Sequence, residues 1–190
     1  ELHVLVSRND FRMLLWSLYT YFLHSKSPVA LVVHLDPSVE ESQASLLQAL
    51  FPGTTLVTST EADTVVEERL KEFPLCRQQR DRSVLSRKIF DFFLFGDCPR
   101  VVFSDSDILF FEDPVEVNNF DGDGSAFIED HWTNYILPAE TLSERTGINV
   151  PERVNIGFGI VDRNCFQLDE IENLIVQIPE LLTAPHLFAQ

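Results

Sequence analysis

Apolar positions in the first half of the chain alternate between the strand period and the helix period. Residues 2–6 form a short, nearly unbroken apolar run of strand length. Phe11, Leu14, Leu15, Leu18, Tyr21 and Phe22 then recur at i, i+3, i+4, i+7, i+10 and i+11, one face of an amphipathic helix. Asn9 or Asp10 can cap its start. Residues 29–35 predict a second strand, apolar at almost every position, as in a sheet covered on both faces. A helix over 39–50 is stopped by Pro52-Gly53 and leads to a β-branched third strand over 54–58. A charged helix over 62–73 and a polar connection around 76–80 follow. The next helix spans 83–95, with Leu85, Ile89, Phe92 and Phe93 on its buried face. Gly96 and Pro99 end it before a fourth strand over 101–104.

Past Pro114 the periodicity loosens. Residues 121–124 read as a turn, and no ligand series at calcium-loop spacing follows them. Strands are expected over 125–129 and 154–161, and a last helix over 168–182. Gly157 and Gly159 inside a strand mark a place where a ligand or another backbone comes close. The alternation argues an α/β fold, a mostly parallel sheet flanked by helices, whose ligands sit beyond the carboxyl ends of the strands.

That geometry gives weight to the run Val101-Val102-Phe103-Ser104-Asp105-Ser106-Asp107-Ile108-Leu109-Phe110. Asp105 and Asp107 follow an apolar strand at i, i+2, and on extended backbone both side chains face one point. Carboxylates at the end of a buried strand are costly to desolvate unless a cation neutralises them. Ligands made only of oxygen suit Mg²⁺ or Mn²⁺, usually shared with substrate phosphates. The alternative is a solvated Asp-rich turn.

Charge sharpens the picture. The 190 residues carry a net charge of −16, which argues against duplex nucleic acid or an anionic lipid surface as partner. Eight of the fourteen Lys and Arg fall between Arg69 and Arg100, whereas residues 101–190 hold seventeen acids and three bases. A basic stretch feeding an acidic pair is what a metal-bound, phosphate-bearing small molecule needs. No 18-residue apolar run could span a membrane. Cys76, Cys98 and Cys165 are odd in number and far apart, so reduced, partly buried thiols are expected rather than zinc or disulfides; the address expected is cytoplasmic. The chain opens on Glu1 and enters a strand almost at once, as a trimmed domain would.

Four pieces stand in order: Ser7-Arg8-Asn9 after the first strand, Arg87-Lys88, the acidic pair, and Asn155 with its glycines. This order resembles the nucleotide-sugar-dependent glycosyltransferases of the GT-A fold. In that family a basic helix, here Ser86 to Asp91, leads into an apolar strand, Asp-x-Asp, apolar residues and Asp-Pro, here Val102 to Pro114. Val154-Asn155-Ile156-Gly157-Phe158-Gly159 resembles the later Asn-x-Gly strand of the glycogenin-like and lipopolysaccharide-galactosyltransferase-like branch.

The resemblance implies a single GT-A domain over 1–190, its nucleotide-binding half 1–114 and its sugar and acceptor half 115–190. It implies that Asp105 and Asp107 hold the Mn²⁺ or Mg²⁺ that bridges the diphosphate of a UDP-sugar donor. Ser7 and Asn9 would line the base and ribose pocket, Arg87 or Lys88 would reach donor oxygens, and Asp130 and Asn155 would border the reacting sugar. The acceptor, a glycan, lipid or protein, is left open. The branch's third metal ligand, a downstream His, would fall beyond Gln190, and Ala189 stands where the branch often has Asp, so the domain is expected to be truncated at its carboxyl end.

Each residue also has a plain role. Arg87 and Asp91 can pair at i, i+4 on one helix, Glu129-Asp130-His131 can be a solvated strand end, and Asn155 can tie down a turn. Two other functions compete. A haloacid-dehalogenase-like phosphatase also uses a strand-end Asp-x-Asp, but on its first strand and running into Gly-Thr or Thr/Val. A non-catalytic nucleotide-sugar-binding member of the same fold is the other.

Overall fold

The computed structural model describes residues 1–122, 124–132 and 135–183. In chain order they form β1 (Leu2–Val6), α1 (Phe11–His24), β2 (Leu31–Leu35), α2 (Glu41–Leu50), β3 (Thr55–Thr58), α3 (Ser59–Arg69), α4 (Pro74–Arg82), α5 (Val84–Leu94), β4 (Arg100–Ser104), α6 (Val115–Asn118), β5 (Ser125–Glu129), α7 (Ala139–Thr146), β6 (Val154–Asp162), α8 (Leu168–Gln177) and α9 (Glu180–Thr183). Asp123 of the 121–124 turn and the Ala189-Gln190 position lie outside the described residues.

β1 is buried at every position because it has a strand on each side and helices over both faces. The sheet order is β3-β2-β1-β4-β6-β5. The β1–β2, β2–β3 and β1–β4 pairings are parallel, and β6 runs antiparallel to both β4 and β5. The fold is therefore α/β with a mostly parallel sheet.

Strand alternation separates two faces. Leu2, Val4, Val6, Leu31, Val33 and Val102 pack with Phe11, Leu14, Leu18 and Tyr21 of α1. Leu14 is fully buried, a burial that stabilises by about 2 kcal/mol. On the other face Leu5, Val101 and Phe103 meet Phe92 of α5. His3 and His34 lie on that face too, joined Nδ1 to Nε2 at 3.0 Å and roofed by Phe92. Burial pushes their pKa values down to about 2 and about 3, with His34 also opposing a charge on His3, so both rings are neutral at pH 7. A helical cluster of α3, α4, α5, α7, α8 and α9 forms a further layer around Phe90, Leu70 and Cys76.

Several elements differ from the sequence expectation, each for a local reason. The polar connection at 76–80 is helix α4, begun by Pro74 in its first turn and buried through Cys76, Gln79 and Arg80. α3 starts at Ser59 rather than 62, because Thr58 and Glu61 form a reciprocal capping box. The helix expected over 168–182 breaks at Pro179 into α8 and α9. α7, which the pattern did not predict, ends on Gly147 at φ +71°. α5 buries both Phe90 and Phe92 while Leu85 is exposed, since the helix is sandwiched between the sheet and the helical layer. Phe22 is likewise exposed rather than in the core.

Candidate active site

The chain lays down β1, β2 and β3 moving outward in one direction, then returns to place β4 on the other side of β1. The helices after β1 and before β4 thus part at this reversal, and a crevice opens beyond the carboxyl ends of these two strands. Ser7 and Asp10 leave β1 into it, and Asp105, Ser106 and Asp107 leave β4. With Leu5, Met13, Val84, Leu85 and Lys88 they line a cavity of about 210 Å³.

β4 ends at Ser104, and Ser106-Asp107 form a turn. The two carboxylates are therefore gathered by a turn across the strand end, not by alternation along an extended strand as the i, i+2 argument assumed. Asp105 is partly exposed and ion-paired through Oδ1 to the Lys88 ammonium. Asp107 is exposed and has neither an ion pair nor a side-chain hydrogen bond among the described residues. Val84 and Leu85, the first turn of α5, line the same cavity, so the positive end of the helix dipole opens into it. Ser83 caps that end by accepting a bond from the Ser86 N–H at 3.1 Å. Ser7 donates to the Asp10 carboxylate at 2.6 Å, fixing the loop that follows β1.

Across Asp105 from Lys88 lies the start of β6. Between Phe127 and Ile128 the β5–β6 register slips, so that Phe127 pairs with Gly159 but Ile128 with Asn155. On its other side β6 keeps a regular register with β4, Ser104 facing Phe158. The Asp105 N–H donates to the Gly157 carbonyl at 2.6 Å. Asn155 uses both ends of its amide: Oδ1 accepts from the Gly157 N–H at 2.7 Å, and Nδ2 donates to Asp130 Oδ2 at 3.3 Å. A Cβ on Gly157 would stand 2.8 Å from Asn155 Oδ1, 3.2 Å from Ile108 and 3.4 Å from Asp105 Oδ2. Gly157 is where Asn155, Asp105 and Ile108 converge, the close approach that a glycine inside the strand implied. Gly159 similarly faces the Ala126 carbonyl, 2.6 Å from where a Cβ would be.

The structure thus gathers Ser7, Lys88, Asp105 and Asp107 in one cavity, with Asp130 and Asn155 joined to it through Gly157. It does not bring Asn9 or Arg87 there. Asn9 is exposed and, with Arg8, Arg12, Glu40 and Gln43, lines a separate groove of about 570 Å³ between α1 and α2. Arg87 turns to Asp63 at 3.5 Å, not to Asp91. Asp91 is instead held by Arg80 through two bonds, at 2.7 and 3.1 Å, and Arg80 also reaches Asp63 at 2.9 Å. Burial alone would lower the Arg80 pKa, but the bonds and charges of Asp91 and Asp63 outweigh it and raise the value. His131 is exposed, its N–H bonded to Asp130 Oδ1 at 2.7 Å. Sequence reasoning missed Asp10, Val84 and Leu85 as cleft residues. The capping position of Asp10 and the place of Val84 at a helix start were the available signals.

Among the described residues no three His, Cys, Asp or Glu converge to hold an ion. The donor set nevertheless suits a hard divalent cation. It consists of two carboxylates, one of which already takes a cationic ammonium as its partner, and it leaves further positions to phosphate oxygens and water. No described helix is long and apolar enough to cross a membrane.

No family model and no curated protein match the sequence. Solved structures do match. Mouse xyloside xylosyltransferase 1 in its apo form is similar at TM-score 0.60 and 12% identity, over 97% of this chain and 73% of that one. The galactosyltransferase LgtC, in complex with donor and acceptor sugar analogs, gives TM-score 0.60 and 11% identity over 95% of this chain and 65% of its own. Glucosyl-3-phosphoglycerate synthase from Mycobacterium tuberculosis, with Mn²⁺, UDP and glucosyl-3-phosphoglycerate, gives TM-score 0.54 and 14% identity over 97% and 66%. The chain therefore spans about two thirds of the length of the last two. At these identities the likeness speaks for architecture: the chain has the GT-A fold of nucleotide-sugar glycosyltransferases.

Proposed function

We propose that this chain is the donor-binding domain of a metal-dependent glycosyltransferase that moves a sugar from a nucleoside diphosphate to an acceptor. The observation that carries the reading is the crevice between β1 and β4, where Asp105, Asp107, Lys88 and the amino end of α5 face one small cavity. UDP is the proposed donor nucleotide, since the mycobacterial synthase that shares the fold is bound to UDP and Mn²⁺.

Asp105 and Asp107 are proposed to hold Mn²⁺ or Mg²⁺, which when bound offsets the charge that grows on the diphosphate leaving group. Lys88 and the first-turn N–H groups of α5 would face the phosphate oxygens. Ser7, steadied by Asp10, would border the nucleoside. Asn155 acts as a positioning residue, since both ends of its amide are spent on Gly157 and Asp130. Asp130 is then the group of that pair proposed to border the sugar. Residues 1–114 supply the nucleotide half and 115–190 the sugar and acceptor half. The three cysteines are unpaired, which fits a reducing compartment such as the cytoplasm.

The test is release of UDP from a panel of UDP-sugars in Mn²⁺, with water as the default acceptor. One or a few donors should be hydrolysed slowly, chelation should stop the release, and Asp105→Asn should slow it by about 100-fold. Phosphate release from phosphomonoesters, with UDP-sugars untouched, would instead indicate a phosphatase. Metal-dependent binding of donors without turnover would leave a nucleotide-sugar-binding protein.

A further inference from the structure

Lys88 occupies the same carboxylate that the metal reading needs. Its ammonium is paired with Asp105 Oδ1, while Asp107 is exposed and carries no ion pair among the described residues. We propose that Lys88 is a latch on the metal site, capping Asp105 until a diphosphate draws the ammonium away, so that the divalent ion binds tightly only together with the nucleotide. This rests on the donor-site reading above and adds an order and a coupling to it.

The physical argument has three parts. A divalent cation reaching the two carboxylates meets one that is open and one already neutralised by an ammonium that repels it. The side chains of Lys88 and Asp105 are 20% and 35% exposed, so the pair is of the solvent-screened kind that is worth little and exchanges readily. Lysine also carries a point charge on a flexible four-carbon stem, and that stem has Leu5, Met13, Val84 and Leu85 around the cavity to pack against as it swings. Diphosphate oxygens offer the ammonium more negative charge than one carboxylate does. Moving to them frees Asp105 for the ion, and the ion in turn holds the diphosphate. Linkage makes the coupling reciprocal: each ligand tightens the other by the same factor.

Arg87 is the internal contrast. One residue away on the same helix, it is engaged by Asp63, which it shares with Arg80. Removing its charge alters the local potential without uncapping Asp105.

The experiment is titration of Mn²⁺ alone, followed by the paramagnetic resonance of the free ion. It uses the wild-type chain, Lys88→Met and Arg87→Met, each with and without UDP. Methionine keeps an apolar stem, and Lys88→Gln serves as a second neutral variant should the first fail to fold by circular dichroism. Lys88→Met should bind Mn²⁺ alone about tenfold more tightly than wild type, and UDP should then tighten Mn²⁺ by a correspondingly smaller factor. Arg87→Met should stay within about twofold of wild type. Unchanged Mn²⁺ affinity in Lys88→Met, with UDP still tightening the ion in wild type, overturns the latch. Equal tightening in both variants also overturns it, since a general charge effect would then suffice. Failure of every protein to bind Mn²⁺ even with UDP removes the donor-site reading, and the latch with it.

Discussion

Two of the cation–carboxylate pairs on helix α5 lie one turn apart and are built differently. On the side toward α4, Asp91 is gripped by two guanidinium bonds from Arg80, and both side chains are almost wholly buried. On the cleft side, Lys88 meets Asp105 with a single ammonium, and both stand partly in solvent. Arginine's planar fork suits a fixed, desolvated contact, while lysine's stem suits one that can be exchanged. The inner pair ties α5 to α4. The outer pair lines the cavity in which the donor is proposed to bind. A buried pair and an open pair one turn apart separate anchoring the helix from lining the cavity.

The sharpest way to break this contrast is Arg80→Ala, which leaves the Asp91 carboxylate buried and uncompensated. Stability should fall by about 3–5 kcal/mol, read as the urea midpoint. Acid attacks the sheet side of α5, which packs through Phe92 and Phe95 on the neutral pair His3 and His34. Their folded pKa values lie below the unfolded value of about 6.5, so the unfolded chain binds more protons below that pH. Their contribution is complete above about pH 6.5 and is lost as pH falls toward their folded values, at about 1 kcal/mol per histidine per pH unit. Urea midpoints at pH 6.5, 5.5 and 4.5 should decline accordingly; a flat profile would show that the rings are solvated. Gly157→Ala acts where β6 meets the end of β4, and the new methyl meets Asn155 Oδ1 and Ile108. It should cost about 1–2 kcal/mol and weaken UDP binding measured by calorimetry. Smallest is the stability effect of Lys88→Met, below about 1 kcal/mol by thermal melting.

The sequence made the sheet legible because its signals were local and unopposed. β1 and β5 fall on the residues the apolar pattern marked, and the others shift by a few residues. The helical layer was harder to see. α4 has a polar composition, and its buried face of Cys76, Gln79 and Arg80 becomes intelligible only once Asp91 and Asp63 stand opposite Arg80. α5 is buried on two sides, so no single stripe reveals its orientation, and Leu85 was placed in the core although it borders the cleft. For the site, spacing drew attention to Asp105 and Asp107 and the family resemblance to Lys88 and Asn155, but neither told which neighbours face them. Arg87 and Lys88 are adjacent in sequence and about 100° apart around the helix, and only tertiary contacts send one to Asp63 and the other to Asp105. The β4–β6 register that sets Gly157 against Asp105 leaves no mark in the hydrophobic pattern beyond the glycine itself.

The claim that the open pair marks a metal–diphosphate site is tested most directly by calorimetric titration of UDP. The protein would be taken with and without Mn²⁺, beside the Asp105→Ala/Asp107→Ala variant. Binding should require both the ion and the carboxylates, so only the wild-type chain with Mn²⁺ should give a saturating isotherm. Equal affinity without the ion, or in the double variant, would contradict the account and leave the Lys88–Asp105 pair as a surface contact at the end of a strand.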